Sequence, residues 1–559
     1  MKSALTAKWA FVILPLLYVV LSVIFLGGIR QFYISHSDPP YCYLMNGVNL
    51  ASWHCRVGIL EHPGTPVEIF AAIVIFIKHL FASDGLLYQD VLIHPESYLY
   101  TCSIVLVVFL AAVTFFSGVY IFRYTGNVAL AMLFQLAPLF FGDIIKMTVS
   151  LSTESFIVIF GIPFIAYLYI HTICKNQKGE NTTNKNVLIF GLFTALLFTT
   201  KIYCLPIFIL ILFLLKNNRQ RAIYTGSFGM FSMLLLFPLY NQFKNWLGWI
   251  KSAILHTGSY GQGSSGIINT GLYKSNIIEI LTTHNLFALV YSLIIAAFIT
   301  ALWMRLKRKA DSNNLIFPIM GILISFTLFI LIIAKQYKFN YPEPLTHTVI
   351  TITKYYYFIP LIICFPLFLT IVFEILSSLF NARFIQLCKS KAIYIALLIS
   401  IILGSQKTYA VCSEAGQQKV DLYKTTQFLD SWKHTPLIIV TDGDKVCVEP
   451  ALFLGISYAG KWDSPQYLDF VKKTYPNTYL YATWNDGLLF WDEGTNLSNI
   501  LNKKNQALLY FSGSDSATEA TIIRKICAAP SEKTRMESRK IYTSDNRYET
   551  IYLIADTLR

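Results

Sequence analysis

The sequence predicts an α-helical polytopic membrane protein of about eleven spans, followed by a small extracytoplasmic α/β domain. Three observations predict this fold class. Of the 559 residues, 55% are hydrophobic and only 14% are charged, whereas a soluble protein carries about 25% charged residues. Apolar runs of spanning length recur up to residue 408. The basic residues between these runs fall on one predicted side of the membrane.

The predicted spans follow the apolar runs, at 10–29, 99–122, 127–147, 153–172, 222–240, 284–304, 314–334, 355–378 and 391–408. The stretch 187–215 is too long for one span, and Lys201 and Pro206 interrupt it near its middle. We therefore predict two short helices that meet at Lys201, which brings the total to about eleven.

The basic clusters orient the chain. With the N-terminus inside, the inner loops contain Arg123, then Lys175, Lys178 and Lys185, then Lys216, Arg219 and Arg221, then Arg305, Lys307, Arg308 and Lys309, then Arg383, Lys389 and Lys391. This asymmetry follows the positive-inside rule, and we expect the bacterial inner membrane. It also accounts for the net charge of +14 without a nucleic-acid partner.

The predicted domains are a transmembrane domain over 1–408 and an extracytoplasmic α/β domain over 409–559. In the latter, short β-rich runs such as 436–440 and 507–511 alternate with helix-compatible stretches. The first outer loop extends from 30 to 98. Within it, the run 66–82 is short and contains Lys78 and His79, which favours a helix in the outer membrane interface.

The cysteines predict no zinc site, because none of the ten has metal-ligand spacing. If the outside is oxidising, Cys42 and Cys55 form a disulfide, and two of the tail cysteines form another whose pairing the sequence leaves open. No metal-binding residues are predicted. The cofactor is unknown, and a divalent metal ion is left open.

Two polar motifs lie just outside the first predicted span. Asp38 is within Ser-Asp-Pro-Pro, and His62 is within Glu-His-Pro-Gly-Thr-Pro. A carboxylate and an imidazole at a membrane–water interface can act on a substrate that is half lipid and half sugar. Asp38 also fits a turn or a helix cap, and His62 also fits a solvated loop.

Further motifs follow in order along the chain. Glu154 lies between the third and fourth spans, Thr199-Thr200-Lys201 lies at the break in 187–215, and an aromatic-proline motif, Lys354 to Pro360, opens a late span. With the two outer-loop motifs, this series resembles the GT-C glycosyltransferases, which include protein O-mannosyltransferases and the lipid A aminoarabinose transferase. The resemblance covers residues 1–408. Ile202 replaces the glycine of the family's Thr-Lys-Gly, and His62-Pro63-Gly64 replaces its more usual double proline.

The resemblance implies a sugar transfer from a polyprenyl-phosphate donor to an extracytoplasmic hydroxyl of a glycan, lipid or protein. Polyprenyl phosphate is a competent leaving group, whereas the acceptor hydroxyl needs a base to become a good nucleophile. In-line displacement by this activated hydroxyl is expected to invert the anomeric configuration of the sugar. Asp38 and Glu154 are the predicted catalytic residues. Asp38 is the base, and Glu154 has a direct role in binding the acceptor or, if the reaction uses one, a metal ion. The predicted contacts of the donor phosphate are Lys201, His62, Lys354 and Tyr355. Outer-loop candidates are His256 and His347.

Other interpretations remain open for these residues and for the chain. Interaction with a helix dipole explains Glu154, and snorkelling to the interface explains Lys201. Lys354 and Tyr355 also fit interface anchors. For the whole chain, the alternatives are a transporter or flippase of a lipid-linked saccharide and a non-catalytic assembly or sensor protein.

Overall fold

A computed structural model gives the structure of the chain. It describes residues 2–29, 32–35, 39–60, 62–82, 85–139, 142–174, 182–255, 270–283, 285–306, 312–336, 355–379, 406, 409, 410, 413, 417, 420–441, 448–459, 464–482, 487–489, 500, 506–512, 516–528, 536–545 and 549–556. Asp38, His256, His347 and Lys354 lie outside the described residues, and so does the side chain of Tyr355.

Contacts divide the chain into two compact units, which are taken one at a time. The first unit consists of residues 1–22, 60–67 and 103–408, and the second consists of residues 23–59, 68–102 and 409–559. The α-helices, in chain order, are Lys2–Ile29, Phe32–Ser35, Pro40–Ala51, Thr65–Ala82, Leu87–Ile93, Pro95–Thr125, Val128–Gln135, Gly142–Thr148, Thr153–Leu168, Asn184–Thr200, Leu205–Leu214, Asn218–Leu235, Phe243–Leu255, Thr270–Thr283, Asn285–Leu306, Ser312–Gln336, Ile359–Leu379, Val448–Ser457, Ser464–Thr474 and Ser516–Ala528.

The chain is an integral membrane protein by the length and composition of its helices. Five helices in the described ranges are apolar enough to cross a membrane, over Phe11–Gly28, Pro95–Thr125, Thr153–Cys174, Phe287–Leu306 and Ile316–Ala334. A sixth candidate is a pair of helices, Asn218–Leu235 and Phe237–Ser252, bent by 75°. The count of eleven stays a prediction, and the run 391–408 lies outside the described residues.

The predicted span 127–147 is not a single helix. The structure has a helix over Val128–Gln135, a 3₁₀ turn over Ala137–Leu139 and a helix over Gly142–Thr148. Pro138 lies in the turn and has no N–H to continue the helical hydrogen bonds. An apolar run alone therefore gave the wrong local structure here.

The predicted break at Lys201 is confirmed. The helix Asn184–Thr200 ends there, because Lys201 is extended at φ −156° and ψ 123°. A 3₁₀ turn over Ile202–Cys204 follows, and the helix Leu205–Leu214 begins with Pro206 in its first turn. Proline is favoured at that position because the N–H of the first turn has no helical acceptor. A buried lysine therefore lies at a junction between two helices.

Helix Asn184–Thr200 packs closely against helix Asn218–Leu235 in the first unit. A Cβ added to Gly191 would overlap the Ser227 hydroxyl, and it would lie 2.8 Å from Ser227 Cβ and 2.9 Å from the Phe228 nitrogen. The last of these atoms belongs to the backbone, which cannot rotate away. Only glycine permits this approach of the two helices.

Gly191→Ala is therefore expected to lower the free energy of unfolding by about 1–3 kcal/mol, the usual cost of overpacking. Gly229→Ala is the matched control in the facing helix, since a Cβ there meets nothing within 4 Å. That variant should gain about 0.5–1 kcal/mol from helix propensity. Thermal unfolding in detergent measures both changes, and equal melting temperatures would contradict the role of Gly191.

The second unit contains a six-stranded sheet within residues 437–556, where the sequence predicts an α/β fold. Its strands are β1 (Leu437–Thr441), β2 (Thr478–Ala482), β3 (Gly487–Leu489), β4 (Gln506–Ser512), β5 (Met536–Thr543) and β6 (Glu549–Asp556). Their order is β3-β2-β1-β4-β6-β5. β1 pairs in parallel with β2 and β4, and the other pairs are antiparallel. Apolar clusters cover both faces, with Ile438 and Leu509 on one and Ile439 and Tyr510 on the other.

A buried carboxyl group lies at the start of β6. Glu549 is 4% exposed, and the Ser512 hydroxyl at the end of β4 donates to its Oε1 at 3.0 Å. Burial raises the pKa of Glu549 to about 8, hydrogen bonds from Tyr510 and Ser512 oppose the shift, and the charge of Asp421 adds to it. The carboxyl group is therefore protonated in the folded protein at neutral pH.

The stability of this domain is expected to fall as the pH rises from about 4.5 to 8. The folded pKa of Glu549 lies above the unfolded value, so its contribution is complete below the unfolded pKa and is lost as the pH rises through the folded pKa. Glu549→Gln should flatten this part of the profile. Melting temperatures of the two proteins across this range measure the effect, and parallel profiles would contradict it.

The predicted disulfide between Cys42 and Cys55 is wrong. Cys42 is buried in helix Pro40–Ala51, Cys55 is exposed in the segment that follows, and the two are not bonded. The helix directs the Cys42 side chain into the packed interior. Cys527 is not disulfide-bonded either, and the other tail cysteines lie outside the described residues.

Candidate functional site

The first unit contains a buried ion pair between Lys201 and Glu154. Lys201 Nζ lies 2.5 Å from Glu154 Oε1. The residues are 3% and 4% exposed. The Thr153 hydroxyl donates to the other carboxylate oxygen, Oε2, at 3.0 Å. Ionisable groups at this depth in a membrane protein are costly, so a close pair of this kind indicates a function.

Local sequence explains where each member of the pair lies. Ser152 is the N-cap of helix Thr153–Leu168, and its hydroxyl accepts a hydrogen bond from the Ser155 nitrogen. Glu154 is therefore in the first turn, where the helix dipole stabilises a carboxylate. Lys201 is the residue that ends helix Asn184–Thr200. A helix start and a helix end thus bring together two charges that are 47 residues apart.

Aromatic rings surround the ammonium group. Lys201 Nζ lies 5.3 Å from the ring centroids of both Tyr203 and Tyr357, within the range of a cation–π interaction. The centroids of these two rings are 5.9 Å apart. His62 extends the cluster, with its ring 5.5 Å from that of Tyr203 and 6.5 Å from that of Trp249. All four ring residues are half-buried.

This arrangement can stabilise negative charge in a poorly hydrated place. The Glu154 carboxylate lies 2.5 Å from the ammonium nitrogen and is its ion-pair partner. An ammonium group carries three N–H donors, so a bond to Glu154 is compatible with a second contact to a phosphate oxygen. The half-buried rings offer apolar faces beside this charge, to which a sugar ring or an isoprenoid chain can pack.

Three of the predicted site residues, Lys201, Glu154 and His62, belong to this cluster. Lys201 and Glu154 touch directly, and His62 joins them through the ring of Tyr203. The predicted aromatic-proline motif reaches the cluster through Tyr357, which lies in the 3₁₀ turn Tyr355–Phe358. The roles of all the predicted site residues stay predictions, and Asp38, Lys354, His256 and His347 lie outside the described residues.

Sequence reasoning missed Tyr203, Tyr357 and Trp249. Tyr203 had a usable signal, because it lies two residues after Lys201 in the turn that breaks the apolar run. Trp249 had none, since aromatic residues are common throughout this chain. The described ranges contain no group of three or more His, Cys, Asp or Glu residues that could hold a metal ion.

Comparisons with known proteins give one kind of match. No family model matches the chain, and no curated protein matches it. Among solved structures, the chain is similar to the crystal structure of ArnT from Cupriavidus metallidurans bound to undecaprenyl phosphate. The identity is 12%, the match covers 96% of this chain and 97% of that chain, and the TM-score is 0.41. At this identity and TM-score the similarity assigns no role to any residue.

Proposed function

We propose that this chain is an integral-membrane glycosyltransferase that moves a sugar from a polyprenyl-phosphate donor to an acceptor hydroxyl outside the cytoplasm. The observation that carries the proposal is the buried Lys201–Glu154 pair with half-buried rings around it. A lipid-linked sugar phosphate presents an anion, an apolar chain and a sugar ring. The cluster provides a cation and apolar faces of matching chemistry.

The reaction needs one base and one cation. The acceptor hydroxyl loses its proton to the Asp38 carboxylate while its oxygen attacks the anomeric carbon of the donor. The bond from that carbon to the phosphate oxygen breaks, and its electron pair stays on the polyprenyl phosphate. Attack opposite the leaving group inverts the anomeric configuration. Lys201 stabilises the charge that develops on the phosphate.

Glu154 acts in this scheme through Lys201. Burying an ammonium group without a partner in an apolar environment is costly, and a close carboxylate offsets part of that cost. Glu154 therefore holds the Lys201 ammonium group in the position from which it can contact the leaving phosphate. His62 lies beside Tyr203 and is the further candidate for a phosphate contact.

The proposed setting is the bacterial inner membrane, with the N-terminus inside and the C-terminal domain outside. The one-sided basic loops support this orientation. Polyprenyl-phosphate sugars and their acceptors meet on the outer side, where the predicted first outer loop contains Asp38.

A transporter or flippase for a lipid-linked saccharide is the second candidate. Two observations favour it. The helices Asn218–Leu235 and Phe237–Ser252 meet at 75°, and a short turn separates the helices that flank Lys201. Broken helices line substrate sites in many transporters.

The test separates the two candidates with the full chain in liposomes. One measurement follows the transfer of a labelled sugar from polyprenyl-phosphate donors to acceptors in a membrane extract. The other follows the movement of the labelled donor across the bilayer. Transfer without movement supports the transferase, and movement without transfer overturns it in favour of the flippase. The absence of both would indicate an assembly or sensor protein.

A further inference from the structure

Two buried asparagines join the helix Pro40–Ala51 to the C-terminal domain within the second unit. Asn46 Nδ2 donates to the Tyr458 carbonyl at 2.8 Å, and Asn49 Nδ2 donates to the Ala459 carbonyl at 2.6 Å. The Tyr467 hydroxyl donates to Asn49 Oδ1 at 2.6 Å. Both asparagines are fully buried. We call these five residues the amide latch.

The two asparagines of the amide latch also form hydrogen bonds with residues near them in the sequence. Asn46 Oδ1 accepts from the Gly58 nitrogen at 2.6 Å, and its Nδ2 also donates to the Cys42 carbonyl. Asn49 Nδ2 also donates to the Arg56 carbonyl at 3.3 Å. Each amide therefore bridges the first outer loop and the C-terminal domain. Loss of the Asn49 amide would remove the donor to the carbonyl of the buried Ala459, at a cost above that of losing an exposed hydrogen bond.

Backbone packing reinforces the amide latch. A Cβ on Gly455, in helix Val448–Ser457, would lie 2.7 Å from the Tyr41 carbonyl oxygen and 2.9 Å from Met45 Cγ. The Tyr41 carbonyl belongs to the backbone and cannot rotate away, so only glycine permits this approach of the two helices. Their separation is fixed by backbone atoms, which is the geometry of a rigid joint.

The start of helix Pro40–Ala51 is held by a second set of bonds. The Tyr41 hydroxyl donates to Glu96 Oε1 at 2.6 Å, and the Phe32 and Tyr33 nitrogens donate to the same carboxylate at 2.6 and 3.1 Å. The helix is therefore anchored at both ends. Its first residue follows Asp38 by two positions in the sequence.

We propose that the C-terminal domain positions the first outer loop through the amide latch, and that Asn46 and Asn49 are positioning residues for sugar transfer. The inference rests on the proposed function. The latch fixes the direction of helix Pro40–Ala51, and that direction constrains where the preceding chain places its carboxylate. Misplacement of a reacting group by about 1 Å can cost about 100-fold in rate.

The test compares Asn49→Asp and Tyr467→Phe with Tyr552→Phe in the full chain. Asn49→Asp keeps the shape and the acceptor for Tyr467 but removes the donor to Ala459. Tyr552→Phe is the matched control, because its hydroxyl bonds to Glu519 within the domain and not to the latch. We expect kcat to fall about ten-fold or more in Asn49→Asp and about three-fold in Tyr467→Phe, with the donor KM unchanged. The control should keep the wild-type kcat.

A second readout separates positioning from loss of structure. If Asn49 acts through Asp38, Asn49→Asp should cause no further loss of the residual transfer of Asp38→Asn. A merely structural role would reduce transfer by the same factor in both backgrounds and would overturn the inference. An unchanged kcat in Asn49→Asp, with faster hydrogen exchange in residues 448–459, would also overturn it. An inactive wild-type protein would instead overturn the proposed function, and this inference with it.

Discussion

Replacing Lys201 with methionine is expected to abolish sugar transfer and to lower the free energy of unfolding by about 3–5 kcal/mol. The loss of stability follows because Glu154 is 4% exposed and would keep a buried charge with no counterion. The loss of transfer follows because the leaving phosphate would lose the proposed cation. Thermal unfolding and the labelled-sugar assay measure the two effects separately.

The double variant Lys201→Met, Glu154→Gln separates the loss of stability from the loss of sugar transfer. Removing both charges should restore most of the stability, since a buried pair is often replaceable by neutral groups at little cost. Transfer should stay lost. Lys216→Met is the matched control, because Lys216 is exposed, and it should leave both measurements unchanged. Full transfer by the stable double variant would refute the role of Lys201. Binding of a polyprenyl phosphate to the wild type and to the double variant tests the same contact directly.

Asp38→Asn is expected to reduce transfer by about 100- to 10,000-fold, the usual contribution of a general base. Asparagine has nearly the same shape but cannot accept the proton of the acceptor hydroxyl. The amount of folded protein in the membrane should not change. Asp469→Asn is the control, since Asp469 is exposed on helix Ser464–Thr474. Transfer at the wild-type rate would show that Asp38 is not the base. The transferase proposal would then depend on the Lys201 variants alone.

The sequence predicted local structure correctly where nearby residues determine it. A lysine followed by a proline predicted the break at Lys201, and the β-rich runs 436–440 and 507–511 correspond to β1 and β4. Hydropathy failed over 127–147 because the 3₁₀ turn at Pro138 interrupts a run that is apolar throughout. Hydropathy indicates whether a segment can be buried in a membrane. It does not show whether the segment forms one unbroken helix.

Contacts between residues that are distant in the sequence could not be predicted from it. Nothing local indicates that Glu154 is the partner of Lys201, because a helix start and a helix end 47 residues apart must meet in space. The same holds for the rings of Tyr357 and Trp249, which are two among many aromatic residues. The predicted Cys42–Cys55 bond was wrong for a related reason: Cys42 is buried in a helix and Cys55 is exposed beyond its end, and proximity in sequence does not bring their sulfur atoms together.

The amide latch has a consequence for the biogenesis of the protein. Asn46 and Asn49 bond to residues that follow them by 412 and 410 positions. At a synthesis rate of about 5–20 residues per second, roughly 20 to 80 s pass before those partners leave the ribosome. Throughout that time the two amides of helix Pro40–Ala51 lack their C-terminal partners, and the helix face that packs against Val448–Ser457 is uncovered. Quality-control proteases and chaperones should therefore recognise an early segment of the chain whenever its last quarter is delayed or missing.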